Sequence, residues 1–196
     1  HVGDLAGLMD HLGLGPSLVC GLSVGGQVAL GLASRRPDLV SSLILCDTAP
    51  KIGTAQSWNE RINAVTRAGI ASIADAVLAR WFTPAFRRDD NAAFAIARNM
   101  LLRQPAQGYA ATCAAIRDAD LTEAASHLGV PVLCIVGAED GATAPALVEE
   151  MARIIPDSRF HVIAGCGHIP CIERPDELIG LIADFIARDT SEDADD

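Results

Sequence analysis

The pentapeptide Gly21-Leu22-Ser23-Val24-Gly25 falls where an apolar run, Ser17–Leu22, gives way to a helical repeat. A serine at a strand-to-helix junction can be thrust out of a sharp turn as a nucleophile. The turn strains the backbone and requires neighbours two residues away to lack side chains. Gly21 and Gly25 are expected to meet that demand. The backbone N–H of Val24, opening the helix, is then placed to donate to a developing oxyanion, where the helix dipole also favours negative charge. A glycine-rich turn of this kind is also an ordinary structural device, so the motif indicates acyl transfer only in company with a base and an acid.

A serine hydroxyl is a poor nucleophile at neutral pH and needs a histidine to take its proton and a carboxylate to orient that histidine. Both follow in the chain order Ser, Asp, His that this turn demands. The apolar run 132–136 leads into Gly137-Ala138-Glu139-Asp140, and the run 162–164 leads into Gly165-Cys166-Gly167-His168. Asp140 is preferred as the acid over Glu139 because Gly137 and Gly141 bracket a turn able to present its carboxylate inward. Asp47, after another apolar run, is a more distant rival. His1, His11, His127 and His161 have no comparable setting and read as surface or helix-end residues.

The elements that must position these groups follow from hydrophobic periodicity. Segments 17–22, 42–46, 130–136 and 159–164 are short apolar runs of the type buried in a parallel sheet. Leu5, Leu8, Met9 and Leu12 lie at helical spacing before Gly13, and Leu178, Leu181, Ile182, Phe185 and Ile186 repeat that spacing after Pro175. Strand alternating with helix predicts an α/β fold of about four parallel strands. From 57 to 127 the alternation stops, and helices are expected over 57–68, 70–81, 89–104 and 108–118, forming a cap over the active edge. The organisation predicted is core 1–56, cap 57–127, core 128–188 and an acidic tail 189–196, read as solvated and frayed.

Charge and composition narrow the function. A formal net charge of -10, with Lys51 the sole lysine, argues against a nucleic-acid partner, which requires clustered basic residues. No apolar run approaches the roughly 20 residues of a membrane span, so no membrane partner is expected. Cys20, Cys46 and Cys134 sit in apolar runs and read as buried free thiols. With no signal-peptide pattern at the start, a reducing cytoplasm is the expectation.

Beyond these residues, the chain resembles the 3-oxoadipate enol-lactonases of the β-ketoadipate pathway, which have an α/β-hydrolase fold. The resemblance is carried by Cys46-Asp47-Thr48-Ala49-Pro50-Lys51-Ile52-Gly53-Thr54, Ser57-Trp58-Asn59-Glu60-Arg61-Ile62, Arg80-Trp81-Phe82-Thr83-Pro84-Ala85-Phe86 and the stretch from Gly108-Tyr109 to Asp120-Leu121. It implies hydrolysis of a small-molecule enol-lactone bearing a carboxymethyl group, through an acyl-enzyme, with no metal or organic cofactor. The substrate carboxylate needs a cationic partner, for which Arg80, Arg87 and Arg117 are the cap candidates, and Trp81 can supply an apolar wall. Val24 stands where the family usually has Met or Leu, and Cys171 where Asn is expected after the histidine. The alternatives are another cap-bearing α/β-hydrolase, such as a carboxylesterase or cofactor-free haloperoxidase, or a non-catalytic truncated fragment.

The resemblance also implies strands before the serine that this chain does not supply. With them goes the loop that donates a second oxyanion N–H, a loss that typically costs roughly 100-fold to 1000-fold in turnover. The strand 17–22 is then expected to form an exposed edge through which the chain self-associates.

Overall fold

The computed structural model describes residues 1–192, and the remainder of the acidic tail lies outside the described residues. Helix α1, Val2–Leu12, ends on Gly13, whose φ of 64° lets the N–H groups of Gly13 and Leu14 bond back to Asp10 and Met9. Strand β1, Ser17–Leu22, runs into α2, Val24–Arg35, and β2, Val40–Cys46, follows. Strands β3, Val132–Gly137, and β4, Ser158–Ile163, flank α8, Pro145–Ile154. The four strands form one parallel sheet in the order β1-β2-β3-β4.

Strand alternation divides the core into two layers. Leu43 and Leu45 of β2, with Val132, Cys134 and Val136 of β3, face Leu30 and Leu32 of α2 and Val148 and Met151 of α8. The intervening residues Ile44, Cys46, Leu133 and Ile135 face Leu178 and Phe185 of α10, Pro175–Glu192. β2 and β3 are therefore covered on both faces, as their unbroken apolar sequences require. Burying each such Leu or Ile contributes about 1.5–3 kcal/mol.

The two outer strands differ from that expectation. Leu18 and Val19 of β1 are only half-buried and Cys20 is exposed, because among the described residues β1 pairs with β2 alone. The reading of Cys20 as a buried thiol is thus corrected, while Cys46 and Cys134 are buried.

Between β2 and β3 the chain is helical: α3, Ala55–Ala68; α4, Ala74–Trp81; α5, Ala92–Leu102; α6, Ala106–Asp118; and α7, Thr122–Ser126. α3 begins two residues earlier than its apolar spacing indicates, since Thr54 and Ser57 form a reciprocal capping box. α3, α4 and α5 share a core of their own around Val65, Val77, Leu78, Phe82 and Leu101, separate from the sheet's two layers. The last helix returns to the sheet: Ala125 of α7 packs within the α2 and α8 layer. α10 also departs from expectation, running through residues 189–192 where a frayed tail was predicted. Helical backbone bonds form within the segment and need no buried face.

No helix among the described residues is long and apolar enough to cross a membrane. Register brings the C-terminal ends of the strands level, with Leu22 beside Cys46, Cys46 beside Ile135, and Gly137 beside Ile163. Ser23, Asp47, the 138–140 turn and the 164–168 loop therefore leave the sheet along one edge, where open parallel sheets bind ligands.

Candidate active site

Ser23 occupies the sharp turn between β1 and α2 with φ 54° and ψ -118°, a conformation that costs a non-glycine residue on the order of 1–3 kcal/mol. Backbone bonds hold it there. Its N–H donates to Cys46 O (2.9 Å), and its carbonyl accepts from the Gly26 N–H (2.9 Å) and the Thr48 hydroxyl (2.6 Å).

The glycine requirement falls partly elsewhere than the motif suggests. A Cβ on Gly21 would lie 2.3 Å from Gly25 O, whereas one on Gly25 would meet nothing within 4 Å. The second crowded position is Gly26, where a Cβ would lie 2.4 Å from Thr48 Cγ2. Gly25 is thus not needed for space. The close neighbour that matters is Thr48, after β2.

Asp140 and His168 form a buried pair, with Asp140 Oδ2 2.8 Å from His168 Nδ1 and side chains 0% and 4% exposed. Thr143 donates its hydroxyl to Asp140 Oδ2 (2.6 Å), and the backbone N–H groups of Ala142 and Thr143 donate to Oδ1 (2.6 and 3.0 Å). Burial opposes the ionised carboxylate, but the hydrogen bonds from His168 and Thr143 outweigh it and hold Asp140 below its ordinary value. Glu139, the neighbouring acid, is exposed.

The histidine loop is clasped from outside by the cap. His168 N–H donates to Trp81 O (2.8 Å), and the indole stacks on the imidazole with centroids 6.4 Å apart. A Cβ on Gly167 would sit 2.4 Å from Trp81 O, so the loop approaches α4 as only glycine allows. The buried Glu173, in α9, Pro170–Glu173, accepts from the Gly167 N–H (2.9 Å) and from both the N–H and the hydroxyl of Thr83. Cap and catalytic-edge loops are thus tied by buried polar bonds.

Ser23, Val24 and His168 line a cavity of about 440 Å³ between cap and sheet, walled by Trp58, Trp81 and Ile116 among other apolar residues. Of the three arginines expected there, only Arg80 is present. Its Nε donates to Gly141 O (2.7 Å) and one Nη to Ala142 O (3.4 Å), so much of its guanidinium braces the Asp140 turn. Arg87 turns away to Phe82 O (3.1 Å), and Arg117 pairs with Asp118 and Asn59; neither lines the cavity. Arg87 lies in the loop between α4 and α5 and Arg117 near the end of α6, each bonded away from the cavity, against their expected role as substrate-binding residues.

Arg61 of α3 does line it, with its guanidinium over the Trp58 ring (4.8 Å to the centroid), and among the described residues it forms no ion pair with a carboxylate. It was overlooked because helical spacing does not say which face meets a cavity. Thr143 and Glu173 were also missed. Asp140-x-x-Thr143 is a recognisable turn pattern, whereas Glu173 gives no local signal.

Asp47 is fully buried at the end of β2 with φ 46°, and Oδ1 accepts the Gly137 N–H (2.9 Å). Asp47, Asp140 and His168 each bring a potential ligand atom within 4.8 Å of the others. His168 Nδ1 and Asp140 Oδ2 already bond to each other, a donor set arranged for proton handling.

The model of the alpha/beta hydrolase family matches residues 1–181, and the chain belongs to that family. It is 34% identical to 3-oxoadipate enol-lactonase 2 of Acinetobacter baylyi over 88% of this chain and 64% of that protein, so it spans about two thirds of that relative. Among solved structures it is similar to the enol-lactonase from Burkholderia xenovorans LB400, with TM-score 0.91, 36% identity and coverage of 95% of this chain and 71% of that one. A thermophilic esterase from Thermogutta terrifontis is comparably similar, with TM-score 0.89, 33% identity and coverage of 96% and 71%.

Proposed function

We propose that the chain carries the catalytic residues of an enol-lactonase, hydrolysing 3-oxoadipate enol-lactone to 3-oxoadipate. The reading is supported chiefly by the buried Asp140–His168 pair, whose histidine lines the same cavity as the strained Ser23. Similarity to the Acinetobacter and Burkholderia lactonases supports the choice of substrate.

In this mechanism Ser23 Oγ attacks the lactone carbonyl while His168 Nε2 takes its proton. Asp140, ionised and hydrogen-bonded to Nδ1, fixes the tautomer and stabilises the imidazolium. The Val24 N–H, at the first turn of α2, donates to the oxyanion. The ring opens by expulsion of the enolate oxygen, which His168 protonates, and water activated by His168 then releases the acyl group. The steps draw on no metal or organic cofactor.

The carboxylate that the lactone carries must also be held, and we assign that to Arg61, with Arg80 as a second cation lining the same cavity. Replacing Arg61 by Ala is expected to raise KM for the lactone about 10-fold to 100-fold. KM for an uncharged ester should change little. Equal effects on both substrates would remove Arg61 from the binding role.

A carboxylesterase is the second reading, favoured by the similarity to the Thermogutta esterase and by a cavity with apolar walls. Side-by-side kcat/KM on the enol-lactone and on a short-chain alkyl ester separates the two. A preference for the simple ester would replace the lactonase reading.

A further inference from the structure

We infer that Asp47 is a positioning residue that carries a proton at neutral pH and donates it from Oδ2 to the Asp140 carboxylate. The acid of the site is then a two-carboxyl, one-proton unit. This deepens the proposed function and rests on Asp140 and His168 being its working pair.

Geometry carries the inference. Asp47 is fully buried, and Oδ1 is occupied by the Gly137 N–H, the residue that begins the Asp140 turn. Oδ2 is buried with no acceptable donor near it. A buried ionised oxygen without a donor is strongly disfavoured, whereas a buried hydroxyl facing a carboxylate is satisfied. The carboxylate beside it is Asp140, with an oxygen within 4.8 Å of an Asp47 oxygen, and burying two carboxylates this close disfavours ionising both.

The choice of which one keeps the proton follows from their donors. Asp140 receives the His168 ring, the Thr143 hydroxyl and two backbone N–H groups; Asp47 receives one backbone N–H. Asp140 therefore holds the charge. Consistently, burial pushes Asp47 up to about 9, partly relieved by the Gly137 N–H and reinforced by Asp140.

The other titratable groups around Asp47 are His168 and the thiols of Cys46 on β2, Cys166 after β4 and Cys171 on α9. Asp47 follows β2 with a strained backbone, φ 46°, and its carboxyl is buried. Its partner Gly137 adjoins the histidine loop so closely that a Cβ there would meet Gly167 O at 2.0 Å. Asp47 thus anchors both the acid and the point where the acid turn and histidine loop touch.

The sign of the pH dependence follows. Between an ordinary carboxyl value near 3.8 and about 9, folded Asp47 keeps a proton that the unfolded chain has released. Its contribution to stability is full below the lower value and declines as pH rises towards the upper one. Asn at this position mimics the neutral acid and has no such decline.

The test compares wild type with Asp47→Asn and Asp47→Ala in the full chain. Three results are expected. The infrared difference spectrum, wild type minus D47N, shows the C=O stretch of a buried protonated carboxyl at neutral pH. The Tm of D47N minus that of wild type grows from about pH 5 to about pH 8. With the lactone, D47N keeps kcat within about threefold, while D47A loses about tenfold or more in kcat with KM little changed.

An absent protonated-carboxyl band, or a Tm difference independent of pH, overturns the inference. So does a D47N variant as impaired as Asp140→Asn, which would make Asp47 an ionised acid. The spectrum and melting curves report Asp47 whatever the substrate proves to be. Inactivity towards the lactone with both readouts as expected therefore sinks the functional reading and leaves the Asp47 assignment standing.

Discussion

Ser23 is held almost entirely by backbone, through a strained turn, one ladder bond to β2 and a carbonyl tied to Thr48, on a strand paired along one side among the described residues. Asp140 and His168 are held by side chains as well as by backbone. Thr143, Asp47 and Glu173 are buried around them, and α4 presses on their loops from the cap. The contrast has a physical basis. A nucleophile needs only its Oγ in the right place, which backbone conformation can set. A base and its acid need a fixed tautomer and charge, which only directed hydrogen bonds can set.

The largest effect is therefore expected from backbone space on the nucleophile side. Gly21→Ala drives a Cβ into the Gly25 peptide and should cost about 3 kcal/mol or more, or prevent folding. Gly25→Ala, in the same motif but facing open space, should be neutral or stabilise by up to about 1 kcal/mol, as alanine does in a helix. Denaturant unfolding of the two variants decides it; similar losses for both would mean that the turn, not the space beside it, sets the requirement.

On the histidine side, Glu173→Gln keeps the shape but pits an amide N–H₂ against a donor, Gly167 N–H or the Thr83 pair. A loss of about 1–3 kcal/mol is expected, together with a fall in kcat because the histidine loop loosens. Unfolding and steady-state kinetics measured together check this. Lost stability with unchanged kcat would show that the clasp is only structural.

Much of this was legible in the chain. Short apolar runs mark the four strands, and the break in alternation marks the helices between β2 and β3, because both patterns are written by local burial. The junctions after β1, β3 and β4 mark Ser23, Asp140 and His168 as candidates. What escaped depends on contacts distant in sequence. Asp47 meets Asp140 only through the register that sets Cys46 beside Ile135. Gly26, not Gly25, is crowded because Thr48 approaches from the next strand. Nothing local in the sequence marks Arg61 rather than Arg87 or Arg117 as facing the cavity, because tertiary packing alone turns Arg61 to it.

The central claim is that Ser23 is a nucleophile activated by the His168–Asp140 pair. Reaction with a fluorophosphonate, followed by intact and peptide mass spectrometry, tests it directly. The expected result is one adduct, on Ser23, that is absent in Ser23→Ala and slowed by roughly 10⁴-fold in Asp140→Asn. An adduct on another residue, or Ser23 labelling that proceeds equally well in Asp140→Asn, would contradict it.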